Sequence, residues 1–121
     1  MTIQKVIQDF ETVMGHQVPA EMVIGWLSDA DTQIYRDLIC WHEMDVTELE
    51  RYSVDDMTTE LLVPEPYTDV YMNYLSMRVN FYNNEIQRYN NSAMAFHKAL
   101  DNYSAYLNRK YLPKQEIHVR I

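Results

Sequence analysis

The sequence predicts an all-α protein: a small helical bundle with a long C-terminal helix or helix pair over about 67–112, followed by a short extended C-terminal tail. Two observations predict this class. From Leu75 to Leu107, apolar residues recur at alternating spacings of four and three, which is the repeat of a packed helical face. Glycine and proline, which interrupt helices, occur only two and four times in the 121 residues. We expect residues 1–112 to form one helical domain and residues 113–121 to form the tail.

Two helices are predicted in the N-terminal third. Thr2 can cap a helix that runs to about Met14, where Gly15 ends it. A second helix should begin after Pro19, which is favoured in a first turn, and run to about Trp41. Each helix has an apolar stripe at helical spacing. The stripes comprise Ile3, Val6, Phe10 and Val13 in the first helix, and Val23, Leu27, Ala30, Ile34, Leu38 and Trp41 in the second.

Residues 42–66 form an irregular connection that is rich in Asp and Glu. Residues 46–52 can form a short helical turn capped by Asp45 or Thr47. The apolar residues 61–63 are expected in the core, and the two prolines that follow favour extended backbone before each of them. A connection of this length is often functional or mobile.

The regular apolar pattern after Tyr67 predicts helix through most of the C-terminal half, and Pro113 ends it. The Asn-rich residues 83–92 are poor helix formers. The stretch is therefore either one long kinked helix or two helices that meet within 83–92, and the unbroken phase favours helix through most of it. The main stripe comprises Leu75, Val79, Tyr82, Ile86, Tyr89, Ala93, Phe96, Leu100, Tyr103 and Leu107, and a second stripe comprises Val70, Tyr74, Met77 and Phe81.

The last five residues alternate as a β-strand does. Ile117, Val119 and Ile121 are apolar, whereas His118 and Arg120 are polar. Such a short strand must pair with an edge, either in the same chain or in a partner by strand addition. The alternative is a frayed terminus.

Charge is unevenly distributed along the chain. Residues 1–66 contain 14 acidic and 3 basic residues, residues 67–121 contain 4 and 7, and the formal net charge is −8. This negative charge argues against sequence-specific binding of DNA or RNA, because it repels phosphates. The asymmetry would let the acidic part of one copy face the basic part of another. The alternative is that both parts are solvated faces.

Tyrosine is abundant, with ten residues in the chain and eight of them from Tyr67 onward. A tyrosine has a large apolar ring and a polar tip, so it suits surfaces that are half buried or shared with a partner. The alternative is a tyrosine-rich core. The tyrosines that we consider as candidates for a subunit interface are Tyr71, Tyr74, Tyr106 and Tyr111.

Compartment and chemistry are both constrained by residue types. Cys40 is the only cysteine, so we expect no internal disulfide and synthesis in a reducing cytosol. The N-terminus does not have the pattern of a signal peptide, and no window approaches the roughly 20 apolar residues of a membrane span. The glycines form no phosphate loop, the serines lie in no nucleophile turn, and His97 with Asp101 supplies too few ligands for a metal. We therefore expect a protein that is not an enzyme and holds no cofactor.

Three stretches carry a family resemblance. They read MVIGWLSDADTQIYRDLI (22–39), LLVPEPYTDVYMNYL (61–75) and NNEIQRYNNSAMAFHKAL (83–100), and NRKYLP follows at 108–113. Together they cover most of the chain, and in this order they resemble the small head–tail connector proteins that tailed phages and prophages of Firmicutes encode. Relatives are expected to carry glycine where this chain has the pair at 83–84.

The resemblance implies a helical adaptor that forms a ring beneath the portal protein after DNA packaging, extends the DNA channel and offers a platform for the next neck protein. Relatives dock a C-terminal tail on the portal by adding a strand, which assigns that role to Ile117, His118, Val119, Arg120 and Ile121. An acidic inner wall would let DNA pass without binding it. The acidic residues that we consider as candidates for this wall are Glu43, Asp45, Glu48, Glu50, Asp55 and Asp56.

A second hypothesis stays open beside this one. The chain could be a stand-alone helical protein-binding module, or a regulator that masks a phage or host partner. This hypothesis predicts a stable monomer or dimer with a grooved, tyrosine-lined face.

Overall fold

A computed structural model describes residues 1–15, 18–44, 46 and 50–112. Within these ranges the chain forms four α-helices and two short 3₁₀ turns, and it forms no β-strand, so the predicted all-α class is confirmed. The helices are α1 (Ile3–Met14), α2 (Ala20–Asp37), α3 (Asp69–Tyr82) and α4 (Ile86–Lys110), and the 3₁₀ turns are Ile39–Trp41 and Val54–Asp56.

Helix α1 begins and ends where the sequence predicts. The Thr2 hydroxyl accepts a hydrogen bond from the Lys5 backbone N–H at 3.2 Å, and Gly15 ends the helix with a φ of 76°. A positive φ is favourable for glycine because it has no Cβ. The apolar stripe is buried except for Val13, which was predicted to be buried but is 69% exposed. In the last turn of α1, Met14 packs against the core instead.

Helix α2 is shorter than predicted. It ends at Asp37, because Leu38 leaves the helical region with φ −123° and ψ −57°, and the chain continues as a 3₁₀ turn. The stripe from Val23 to Ile34 is buried as predicted. Trp41 was placed on this stripe, but the change of helical geometry turns it outward, and it is half exposed.

Helices α3 and α4 form an antiparallel hairpin, which decides between the two predicted arrangements in favour of two helices. The chain reverses over residues 83–85, where the Glu85 N–H donates to the Asn80 carbonyl at 2.8 Å. Asn84 has a φ of 57°, a conformation that asparagine tolerates better than most residues with a side chain. Tyr82 and Ile86 were predicted to continue the buried stripe, but they lie at this turn and are exposed.

The 25-residue helix α4 extends past the start of α3. Its C-terminal half packs against Tyr67, whose ring centroid lies 4.9 Å from that of Tyr106. It also contacts the 3₁₀ turn after α2, because a ring nitrogen of His42 lies 2.8 Å from the Asn108 side-chain oxygen. The Glu43 N–H then donates to the Leu112 carbonyl at 2.8 Å. The end of α4 is therefore tied to the end of α2.

The connection between α2 and α3 returns to the start of α1. The Ile3 N–H donates to the Thr59 carbonyl at 3.1 Å, and the Leu61 N–H donates to the Met1 carbonyl at 2.9 Å. Leu61 and Val63 are buried as predicted, and Leu62 is half buried. The helical turn predicted over 46–52 lies partly outside the described residues, and the turn that the structure shows comes later, at Val54–Asp56. None of the helices in the described ranges combines the length and apolar character needed to cross a membrane.

The left-handed conformation of Asn84 predicts an unusual order of stability. Because φ is positive there, Asn84→Ala should unfold more easily than Asn84→Gly, by about 1 kcal/mol. The neighbouring Asn83 has a φ of −86°, so the matched pair Asn83→Ala and Asn83→Gly should show the reverse order. Chemical denaturation of the four variants measures both differences. Equal stability of Asn84→Ala and Asn84→Gly would contradict the left-handed conformation of Asn84.

Candidate functional site

The buried carboxylate of Asp31 fixes the position of residues 42–66, which we call the acidic connection. Asp31 lies on α2 and is 0% exposed. Its Oδ1 accepts a hydrogen bond from the Tyr71 hydroxyl of α3 at 2.5 Å. Its Oδ2 accepts from the Tyr52 hydroxyl at 2.5 Å and from the Leu62 backbone N–H at 3.1 Å. One side chain therefore joins two helices to the segment between them, and we call these residues the Asp31 network.

The Asp31 network also satisfies a second buried backbone group. The Tyr71 hydroxyl accepts a hydrogen bond from the Val63 N–H at 2.7 Å while it donates to Asp31. The Tyr52 N–H donates to the Ser28 hydroxyl at 3.2 Å. Buried polar groups that lack a partner are costly, so these bonds allow the chain around residues 52 and 63 to lie against the helices.

Burial alters the acidity of the Asp31 network. Removal from water raises the pKa of the Asp31 carboxyl, and the hydrogen bonds from Tyr52, Tyr71 and Leu62 oppose this effect only in part. Burial and the adjacent Asp31 carboxyl raise the pKa of Tyr52 and of Tyr71. Both phenols therefore remain protonated and keep donating to the carboxylate.

Asp29 links the acidic connection to α3 on the outside of α2. Its carboxylate accepts a hydrogen bond from the Arg51 guanidinium at 2.9 Å and lies 3.6 Å from the Arg78 guanidinium. The Arg78 guanidinium also lies over the Trp26 ring, 5.5 Å from its centroid. These groups are substantially exposed, so each ion pair contributes little stability by itself.

The six acidic residues that are candidates for the channel wall do not all have the same environment. Glu43, Glu50 and Asp55 are exposed, whereas Asp45 and Glu48 lie outside the described residues. Asp56 is half buried, and its carboxylate accepts from the Ser53 N–H at 2.7 Å in a capping box. This local bond gives Asp56 a role in the 3₁₀ turn, which sequence reasoning did not predict.

The four candidate interface tyrosines divide into two pairs. Tyr71 is 0% exposed and Tyr74 is 4% exposed, so their assignment to a surface contact is corrected. Tyr71 is in the core because its hydroxyl has partners there, and the Tyr74 ring packs on Phe96 at 5.1 Å between centroids. Tyr106 and Tyr111 are half buried at the surface, where tyrosines can still contact a partner.

Tyr106 and Tyr111 line a groove at the C-terminal end of α4. The groove has a volume of about 430 Å³, and its lining comprises Met44, Leu62, Pro64, Glu65, Tyr103, Tyr106, Lys110 and Tyr111. The Lys110 ammonium lies 5.5 Å from the ring centroids of Tyr106 and Tyr111. The hydrogen bond to Tyr106 raises the pKa of Lys110, so the groove presents a positive charge beside aromatic rings.

The turn between α3 and α4 forms an exposed apolar surface that sequence reasoning missed. Phe81, Tyr82 and Ile86 are 69%, 58% and 66% exposed. Phe81 contacts Tyr89 at 5.6 Å between ring centroids. The Asn-rich stretch at 83–92 could have indicated this surface. A chain reversal within that stretch moves the adjacent apolar residues out of the contact between the two helices.

The remaining predictions concern the C-terminal tail, metal binding and Cys40. The proposed docking tail, from Ile117 to Ile121, lies outside the described residues. Among the residues that the structure describes, no three His, Cys, Asp or Glu side chains come together as metal ligands. Cys40 is half buried, and its thiol donates to the Arg36 carbonyl at 3.1 Å.

Comparisons with known proteins returned nothing: no family model, no curated protein and no solved structure matches this chain. The resemblance to head–tail connectors therefore rests on the sequence motifs.

Loss of one hydroxyl should distinguish the Asp31 network from ordinary packing. Tyr71→Phe removes a bond to Asp31 and leaves the Val63 N–H unpaired, so the free energy of unfolding should fall by about 3 kcal/mol. Tyr74→Phe, one turn further along α3, removes only a bond from Arg78 and should cost less than about 1 kcal/mol. Denaturant unfolding measures both. Similar losses in the two variants would contradict the network's importance.

Replacement of Asp31 should change how stability depends on pH. Because the folded-state pKa lies above the unfolded value of 3.8, the folded protein binds the proton more tightly. The contribution of Asp31 is then fully present below pH 3.8 and decreases as pH rises through the folded-state pKa. The stability difference between wild type and Asp31→Asn should therefore shrink from pH 4 to pH 7, as a series of denaturation curves would show. Parallel profiles would contradict a raised pKa.

Proposed function

We propose that the chain is a virion structural protein, a head–tail connector that assembles as a ring beneath the portal, extends the DNA channel and joins head to tail. In this role it is not an enzyme and uses no cofactor. It is made in the cytoplasm of the bacterial host and acts at the neck of the virion. Its partners are the portal protein, other neck or tail-completion proteins and further copies of itself. DNA passes through the ring without sequence-specific binding.

The observation that carries the assembly part of this proposal is the exposed apolar surface at the α3–α4 turn. Phe81, Tyr82 and Ile86 are each more than half exposed, and Phe81 and Ile86 line one small pocket of about 90 Å³ at the turn. Clustered exposed apolar side chains are typical of protein contacts. The sequence motifs support the choice of a head–tail connector, and the exposed apolar side chains suit a contact between proteins.

The acidic connection supports the channel part of the proposal. Glu43, Glu50 and Asp55 are exposed. The Asp31 network holds Tyr52, which lies between Glu50 and Asp55, against the helices. Exposed carboxylates repel the phosphates of DNA. These side chains are therefore suited to a wall past which DNA slides.

The groove beside Tyr106 and Tyr111 favours the alternative function. A binding module needs a concave face with aromatic side chains and a few polar groups, and the groove offers tyrosine rings and the Lys110 ammonium. In that case the chain would bind one segment of a phage or host protein and would need no ring.

A test of the proposal uses the portal protein encoded in the same genome. The full chain should bind the portal, and a chain ending at residue 112 should not. Ile117→Ser with Val119→Ser should weaken binding by more than about tenfold, because one face of an added strand is then polar. The matched control, His118→Ser with Arg120→Ser, changes the opposite face and should bind nearly as well. Sedimentation of the complexes measures binding, and undiminished binding by residues 1–112 would contradict tail docking.

A further inference from the structure

The groove beside Tyr106 and Tyr111, which we call the tyrosine groove, lies where the tail leaves the helical domain. Tyr111 lines the groove, and Leu112 follows it directly. The Leu112 carbonyl accepts a hydrogen bond from the Glu43 N–H at 2.8 Å. The next residue after Glu43 is Met44, which lines the groove from the other side. This bond therefore fixes the start of the tail at the rim of the tyrosine groove.

The apolar side chains at this rim are accessible. Leu112 is 70% exposed, and Met44, Leu62, Tyr106 and Tyr111 are half buried. They surround a concavity of about 430 Å³. A concave surface with apolar and aromatic side chains suits the apolar side chains of a bound segment.

The sequence of the tail has the pattern and the reach to enter this groove. In an extended chain, Ile117 and Val119 point to the same side. The groove follows α4 from Tyr103 to Tyr111, which is about 12 Å at the helical rise of 1.5 Å per residue. The five residues after Leu112 cover about 16 Å when extended. A tail that turns back after Leu112 can therefore place its apolar side along the groove.

We propose that the tail of the same chain occupies the tyrosine groove, with Ile117 and Val119 against the rings of Tyr106 and Tyr111. The covalent link favours this occupant over a second copy or another protein. A short link holds the segment near the groove at an effective concentration of about 1 mM. A segment of another molecule would have to exceed this concentration, or bind more tightly, to take its place.

Occupation of the groove would control when the tail meets a partner. For the connector proposed above, the portal must first displace the tail from the groove, because the same apolar side chains cannot contact both. The groove would then lower the fraction of chains that are ready to dock. This consequence rests on the proposed function, whereas the contact within the chain does not.

Paramagnetic broadening of amide signals in the full chain tests the contact. In a Cys40→Ser background, His118→Cys carries a nitroxide label. Residue 118 lies on the polar side of the tail, so the label leaves Ile117 and Val119 unchanged. The substitution and the label lie outside the four helices.

The readout compares the tyrosine groove with the neighbouring face of α4. The amide signals of Met44 and Leu62, which line the groove, should lose at least about twofold more intensity than those of Ala105 and Arg109, because the label then spends most of its time in the groove. Ala105 and Arg109 line a separate depression near the end of α4. A tail that contacts the surface at random would broaden both pairs.

Two results would overturn the contact. Equal losses in the two pairs of signals would show that the tail does not prefer the groove. The second result comes from a mixture in which only an unlabelled chain is enriched in ¹⁵N and a separate chain carries the nitroxide. Broadening of Met44 and Leu62 in this mixture, as strong as in the labelled chain itself, would show that the tail of another copy is the occupant.

Substitutions in the tail separate apolar docking from charge attraction. Ile117→Ser with Val119→Ser, in the chain that carries the label, should make the losses at the two faces equal. The matched control, Glu116→Gln with Arg120→Gln, changes only the polar side and should keep the difference. A difference that survives the serine substitutions and disappears in the control would overturn the apolar contact.

The rate of portal binding tests the consequence separately. Tyr111→Ser removes one ring from the groove and leaves the tail unchanged, so it should bind the portal about threefold faster or more, because a larger fraction of tails is free. An unchanged rate would overturn the control of docking. If the broadening is as expected but the full chain does not bind the portal, the contact stands and the connector function fails.

Discussion

The arrangement of this chain depends on the hydrogen bonds to the buried carboxylate of Asp31. A buried carboxylate is unfavourable unless hydrogen bonds replace the water that it loses. Here the replacements come from Tyr52, Tyr71 and Leu62. They belong to the middle and the C-terminal end of the acidic connection and to α3, so the charge cannot be satisfied unless these elements are in place together. The cost of burying the charge thus makes the arrangement specific.

The position of the acidic connection determines the surfaces around it. Because the connection is held at Tyr52 and again at Leu62, the 3₁₀ turn between them is presented outward, with Val54 exposed. The same attachment leads Leu61 and Val63 into the core and lets the connection bond to the start of α1. A groove beside α2, lined by residues of α2 and of the acidic connection, is therefore a consequence of how one acid is buried.

The helices could be predicted from the sequence, whereas the Asp31 network could not. Caps and apolar spacing identify α1 and α2 because these are local properties. Asp31 falls beside the apolar stripe of α2 and resembles a solvated acid until the connection covers it. The apolar periodicity gave a wrong prediction for Tyr82 and Ile86. It describes only the spacing of residues along the chain, and this spacing stays in phase although the chain reverses between α3 and α4. Asn84 contained the better signal, since asparagine tolerates the left-handed conformation that such a turn requires.

Both the α3–α4 turn and the groove beside α2 are held by bonds within the chain. The Asn80 side chain donates to the Ser92 hydroxyl at 2.8 Å just before the α3–α4 turn, and the Phe81 ring contacts the Tyr89 ring. At the groove, the Tyr52 N–H donates to the Ser28 hydroxyl at 3.2 Å, two residues before Val54. Surfaces that are ordered before association lose less conformational entropy when they meet. Binding of a partner at either surface would therefore cost less conformational entropy than binding by a flexible segment.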